Sequence, residues 1–314
     1  MTLANTAEYL SSSEAWASAM RDPYWPKWDS PWWHLLLLHE LGLDPPEART
    51  AAPILLESMH NHFLPAFFPE ELPAGKHPAH HIGCFCALGT MLPALEGFGC
   101  DVEASLPWAR EWMMKHTMAS GGLNCADAQY HEPNPGSSIV ATVAALELMV
   151  ESKSGPRNDD EIAFTHGLAN DLLRRKLRNA YLGTSNIEEA EDEADWTKLC
   201  FPRFYFYDVL RGLTAITRYA ERTKTSIPAA AIADVVALLE AKAEAGPLKV
   251  ERDALEGVST FGFENGAWVR PRPSTTFALL REASRVGEPS PALQHEWEHT
   301  RSRVKRLRTL GLIR

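Results

Sequence analysis

The sequence predicts an all-α protein built from repeated helical hairpins. Three observations carry that expectation. Almost every apolar segment recurs at helical rather than strand spacing. Prolines fall mainly at segment edges, where they begin or stop helices. Short helices that are apolar almost all round alternate with amphipathic ones, a pattern that buries the former on most sides.

The elements follow in order. The opening MTLANTAEYLSSSEAWASAM has no basic segment leading into an apolar run and does not read as a secretory leader. SPWWHLLLLHELGL (30–43), GCFCALGTMLPALEGFG (83–99), SSIVATVAALELMV (137–150), FYDVLRGLTAITRYA (206–220) and PSTTFALLREASRVG (273–287) read as buried inner helices. Between them ARTAAPILLESMHNHF, SLPWAREWMMKHT, DEIAFTHGLANDLLRRKLRNAYL and PAAAIADVVALLEAKAEAG read as half-exposed outer helices. SPALQHEWEHTRSRVKRLRTL closes the chain, and its basic stretch at 301–308 reads as the solvated face of that helix, with a nucleic-acid patch as the alternative. FPRFYFYDVL is the one segment that competes as a strand, and its continuation restores helical spacing. Inner helices recur about every 50 to 65 residues, as helical-hairpin repeats do. Glu40, Glu96 and Glu147 recur near the ends of three of them. A carboxylate there opposes the helix dipole, so each needs a local partner, either within its own repeat or in a shared metal cluster.

Composition narrows the function. With 314 residues, 45% of them hydrophobic, the chain can bury a large core in one domain (about 24–287 repeat, 288–314 closing helix). A formal charge of −10 argues against nucleic acid or an anionic membrane as partner. No apolar run reaches the roughly 20 residues of a membrane span. Five cysteines, an odd number at irregular spacing, suit reduced thiols in a cytoplasm better than a disulfide framework.

The order WWHLLLLHELGL, CALGTMLPALEGFG, GGLNC followed by SSIVATVAALE, FPRFYFYDVLRGL and GAWVRPRPSTTFALLR resembles the α/α-toroid superfamily of squalene and terpenoid cyclases and protein prenyltransferase β-subunits. It is most similar to small bacterial squalene-cyclase-like repeat proteins. The resemblance spans about residues 24–287 and implies inner and outer rings of helices around a central cavity, ringed at one end by the loops entering the inner helices. Two departures bear on activity. The acidic Asp-x-Asp-Asp run of alkene-protonating cyclases is absent, and the prenyltransferase Asp-x-Cys order is reversed at Cys125-Ala126-Asp127.

The reactive residues concentrate on those entries. HPAHHIGCFC carries His80, His81, Cys84 and Cys86. Two apart on a helix, Cys84 and Cys86 would point about 200° apart and could not grip one ion together. Cys84 with His80 or His81 would share a face if the helix starts early. The metal candidates are therefore Cys84, Cys125, Asp127 and His131, with zinc as the ion. The alternatives are a thiol–imidazole nucleophile, or cysteines packed as small hydrophobes. CFPRFYFYDVLRG places Arg203, Tyr205, Tyr207, Asp208 and Arg211 around a helix start. Asp208 either caps that helix or moves a proton beside an arginine anion anchor. Asn124 lies in the GGLNC loop, and Ser137 and Ser138 suit the cap of the next helix. Trp25, Trp28, Trp32 and Trp33 either pack a core or line a pocket. The acidic linker 186–195 is a solvated loop or a lid. No phosphate loop, nucleophile elbow or dinucleotide fingerprint occurs.

The expectation is an enzyme acting on a small, partly apolar substrate by acid–base or metal-assisted chemistry of the cyclase, isomerase or lyase type. Catalysis would fall to His80, His81, Cys84, Cys125, His131, Tyr205, Tyr207 and Asp208; Trp32, Trp33, Asn124, Arg203 and Arg211 would contact substrate. A zinc-dependent transferase or hydrolase, and a non-catalytic ligand-binding toroid, are the alternatives.

Overall fold

The computed structural model describes residues 2–181, 189, 192–255 and 257–314. Among these, fourteen α-helices and one two-stranded hairpin account for the regular structure, so the chain is predominantly helical. No described helix is long and apolar enough to cross a membrane. The chain divides into two compact units: the described residues of Met1–Gly83, Met91–Ala109 and Asp253–Arg285, and those of Cys84–Thr90, Arg110–Arg252 and Val286–Arg314.

The first unit opens with α1 (Thr2–Leu10) and α2 (Ser13–Arg21), which the sequence reading left unassigned. Ser12 caps α2, its hydroxyl accepting from the Ala15 N–H at 3.1 Å. α3 (Pro31–Glu40) is buried from Pro31 to Leu38, as an all-round apolar helix requires. α4 (Pro46–His62) buries one face and packs on α2 and α3. α5 (Pro78–His81) is a single turn, and α7 (Val102–Ser105) a second. Trp28, Trp32 and Trp33 are all but fully buried. The Trp33 indole donates to the Tyr24 carbonyl at 3.1 Å, and Tyr24 meets Trp25, Trp32 and Trp33 edge to face. Trp32 and Trp33 pack among these rings in the buried interior of the unit.

One expectation fails here. The fifth inner helix, expected over 273–287, shrinks to α13 (Ala278–Ala283), and the residues before it form the hairpin β1 (Ser259–Glu264) and β2 (Ala267–Pro273). Asn265 and Gly266 both take positive φ, 49° and 82°, the tight turn that Asn-Gly favours between two strands. Phe263 faces Trp268 across the ladder, and a bulge falls between Thr260 and Gly262. The aromatic and β-branched residues on either side of that turn outweigh helical spacing.

The second unit carries α8 (Ala109–Lys115, from Arg110), α9 (Ile139–Glu151), α10 (Asp159–Arg174), α11 (Val209–Thr223), α12 (Ala229–Glu244) and α14 (Pro291–Thr309). α9 packs on α10 and α11, and α11 on α12 and α14. α9 and α11 are buried along nearly their whole length, whereas α12 and α14 bury one stripe each. Side-chain caps start these helices: Ser138 for α9, Asn158 for α10, Asp208 for α11 and Ser290 for α14. The basic residues of α14 lie on its open side, where Arg303 and Arg306 pair with Glu221. α6 (Phe85–Gly97) gives residues 85–90 to this unit. There Gly89 meets α9 so closely that a Cβ would lie 2.6 Å from the Ala144 carbonyl carbon.

Candidate metal centre

The start of α6 brings three cysteine sulfurs together in the second unit. Ile82 to Cys84 are not helical, and the Cys84 carbonyl accepts the first helical hydrogen bond, from the Leu88 N–H at 3.0 Å. Cys84 therefore sits at the cap position. A side chain there folds back over the first turn instead of following the helical wheel. Its sulfur lies 3.2 Å from that of Cys86. The 200° separation expected of the pair fails because only one of them is helical.

Cys125 completes the group. Asn124, buried at the base of its loop, donates through Nδ2 to the Gly136 carbonyl at 2.7 Å and accepts the Ala126 N–H at 2.9 Å. The Tyr130 hydroxyl accepts the Asn124 N–H at 3.2 Å and donates to the His116 carbonyl at 2.9 Å. Asn124 thus shapes the loop that presents Cys125. Cys125 Sγ accepts the Cys86 backbone N–H at 3.4 Å. This is one of the orphan donors at a helix N-terminus, where the positive end of the dipole favours negative charge. The sulfurs of Cys84, Cys86 and Cys125 all lie within 4.8 Å of one another. Cys84 and Cys125 are half-buried and Cys86 is buried, and all are free thiols. Hydrogen bonds that the protonated Cys125 thiol makes to its two neighbouring sulfurs, then burial, push it well above its ordinary range. That is the opposite of the depressed pKa a free nucleophilic cysteine needs.

The other expected ligands part from this group. Asp127 begins a short 3₁₀ turn that ends at the exposed His131, and neither joins the three sulfurs. His80 and His81 belong to the first unit. Helix α5 ends at His81 and α6 begins at Phe85, so no continuous helix face links those histidines to Cys84. His81 Nδ1 lies 3.0 Å from the His62 carbonyl, and burial lowers its pKa. His80 Nδ1 lies 2.6 Å from Asp22 Oδ2.

The residues around α11 form an internal ion-pair network. Asp208 is fully buried; Oδ1 accepts the Arg211 N–H at 2.9 Å, and Oδ2 accepts Arg203 Nε at 2.9 Å and the Cys200 N–H at 3.1 Å. Despite burial, those donors hold its carboxyl below the usual range. Arg203 continues to Glu296 at 2.5 Å, whose other oxygen accepts the Thr214 hydroxyl at 2.6 Å. Arg211 grips Glu147 through two nitrogens at 2.8 and 2.5 Å, a partner from another inner helix and not from the glutamate's own repeat. The Tyr207 hydroxyl donates to the Leu177 carbonyl at 2.7 Å, and burial drives its pKa far upward. Tyr205 stands half-buried beside Phe206. Asp208, Arg203 and Arg211 are thus held by ion pairs and backbone hydrogen bonds, and the Tyr207 hydroxyl by a backbone carbonyl. Of the linker 186–195, residues 186–188, 190 and 191 lie outside the described residues, and the lid expectation falls largely there. Glu189 itself accepts the Ile139 N–H and pairs with Arg175 at 2.7 Å.

No family model, no curated protein and no solved structure matches this chain. The site has to be read from its chemistry.

Proposed function

We propose that the protein is a zinc-dependent enzyme acting on a small, partly apolar molecule, with Cys84, Cys86 and Cys125 as the metal ligands. One observation carries the reading: three sulfurs from two separate chain segments converge within 4.8 Å, around a helix N-terminus. Zinc–sulfur bonds of about 2.3 Å in tetrahedral geometry require sulfurs about 3.8 Å apart. The 3.2 Å pair and the 4.8 Å bound bracket that value, so small side-chain rotations suffice. Three thiolates and the soft-ligand preference they express suit zinc over hard cations such as magnesium. Three protein ligands also leave a fourth position for water or substrate, as catalytic zinc sites do.

When bound, zinc would act as a Lewis acid on whatever occupies that position. The chain's own residues do the rest. Asn124 and Tyr130 hold the Cys125 loop, and the Cys86 N–H places positive charge against the Cys125 sulfur. This arrangement favours transferase or hydrolase chemistry over the cyclase, isomerase or lyase chemistry expected by analogy. Alternation of buried α3, α6, α9 and α11 with half-buried α4, α10 and α12 supports the α/α-toroid arrangement as part of the same reading. A reducing, cytoplasmic compartment belongs to it too, because it keeps three close thiols unoxidised.

The test is metal content of the untagged protein after equilibration with zinc and gel filtration. About one zinc per chain is expected, lost in Cys84→Ser, Cys86→Ser and Cys125→Ser and kept in His131→Ala. A folded wild type that retains no zinc, or a Cys86→Ser variant that keeps it, overturns the assignment.

A further inference from the structure

The first unit holds a second, independent constellation. Asp22 is 1% exposed at its side chain, and His80 keeps 11% of its own open. Asp22 Oδ1 accepts the N–H groups of Tyr24 and Trp25 at 2.8 and 2.9 Å, which fixes the carboxylate in a tight turn. Its other oxygen takes His80 Nδ1 at 2.6 Å. The Trp25 indole donates to the Ala79 carbonyl at 2.8 Å and ties the same turn to the segment bearing His80. A carboxylate accepts only, so it places the ring proton on Nδ1 and leaves a lone pair on Nε2. Among the described residues the hydrogen bond of the His80 ring is the one through Nδ1, and none is found at Nε2. An oriented imidazole with a free basic nitrogen is what general-base catalysis needs.

The hairpin β1–β2 lies against this ring. Trp268 stands 4.7 Å from His80 and Phe261 5.3 Å, centroid to centroid. Thr260 anchors the hairpin, its hydroxyl accepting the Lys27 N–H at 2.7 Å. Cations rest on the neighbouring rings: Arg270 over Phe261 and Arg21 over Phe263. Aromatic faces beside a base suit a flat apolar group.

We propose that Asp22 and His80 form a hydrolytic proton-transfer site for small aryl esters, separate from the thiol centre, with His80 the catalytic residue and Asp22 the positioning residue. Nε2 takes a proton from water as the water oxygen bonds to the acyl carbon. The acyl–oxygen bond then breaks, the aryl oxygen leaves with the electron pair, and the proton on His80 passes to it. Ester and water become acid and phenol, with no other reactant.

The experiment uses p-nitrophenyl acetate with the whole protein in chelator-treated buffer, so that zinc at the thiol centre does not contribute. Wild type is expected to show saturable hydrolysis, falling at least about tenfold in kcat/KM in both His80→Gln and Asp22→Asn. Asn can still accept the two turn N–H groups but offers its amide N–H to Nδ1, which moves the ring proton to Nε2 and removes the base. Nitrogen-15 NMR reads this directly. Nδ1–H is expected in neutral wild type and Nε2–H in Asp22→Asn, a signature that packing alone would not move. An unchanged rate in folded His80→Gln overturns the proposal, and so does an Nε2–H tautomer in the wild type, which can be seen even if the variants fail to fold.

Discussion

Asp208→Asn isolates the charge of the buried network from its shape. Asparagine keeps an oxygen where Asp208 Oδ1 caps α11 through the Arg211 N–H, so the cap, worth about 1 kcal/mol, survives. On the other side its amide would face two donors, Arg203 Nε and the Cys200 N–H, both now aimed at the Oδ2 carboxylate oxygen. Breaking a buried ion pair on one side costs about 3–5 kcal/mol, because the surviving charge is left without compensation. Arg203 retains Glu296, which is 22% exposed and relieves part of that cost. A loss of about 3 kcal/mol is therefore expected, or about 6 to 12 °C in Tm for a domain of about 150–250 residues. Urea denaturation followed by tryptophan fluorescence measures it, since Trp196 packs on Tyr207 with ring centroids 5.6 Å apart. Asp208→Ala should cost about 1 kcal/mol more, having lost the cap as well. Adding Arg203→Met to Asp208→Asn should recover at least about 1 kcal/mol relative to the sum of the single changes. An Asp208→Asn variant within about 0.5 kcal/mol of wild type, or strict additivity in the double variant, would refute a buried, desolvated pair.

Two further outcomes follow from packing and burial. Gly89→Ala puts a methyl group against the Ala144 backbone, where the nearest atoms would be at 2.6 Å, so α6 and α9 must separate; about 1–3 kcal/mol of stability should be lost in the same urea titration, along with zinc affinity, because Cys86 lies one turn away. His34 is buried between Phe277 and Tyr9, and desolvation lowers its pKa from 6.5 in spite of Asp29 nearby. The unfolded chain then binds a proton that the folded one does not, so stability is full above about pH 6.5 and falls as the pH drops below it, by up to about 1.4 kcal/mol per pH unit. His34→Phe should remove that part of the acid sensitivity; equal slopes for wild type and variant between pH 7.5 and 5.5 would count against it.

The helices were legible because their cause is local. α3 and α9 are runs apolar on almost every side, bounded by Pro or by a capping Ser, and such runs favour a buried helix; α11, capped by Asp208, is buried along most of its length although it carries Arg211, Arg218 and Arg222. Asp208 as a cap, Ser138 as a cap and the need of Glu147 for a partner could likewise be read from position and charge alone. The hairpin was legible in principle: Asn265-Gly266 between aromatic residues is its signal, in a stretch just before the expected helix over 273–287. The turn Asp22-Pro23-Tyr24-Trp25 has the Asx form that marks a fixed carboxylate, yet nothing in the order of residues says that His80 stands across from it.

The thiol centre shows where sequence reasoning stops. An odd count of five cysteines at irregular spacing pointed to reduced thiols, and motif spacing brought Cys84 and Cys125 forward as ligands. Only the tertiary structure decided that Cys86 joins them and that Asp127 and His131 do not. Side-chain direction depends on which residue is the first helical one. A shift of that boundary past Cys84 turns two sulfurs from opposite faces to within 3.2 Å of each other. Cys125 arrives from a loop held by Asn124 and Tyr130, through contacts between groups distant in the chain whose energy exists only once the fold has brought them together.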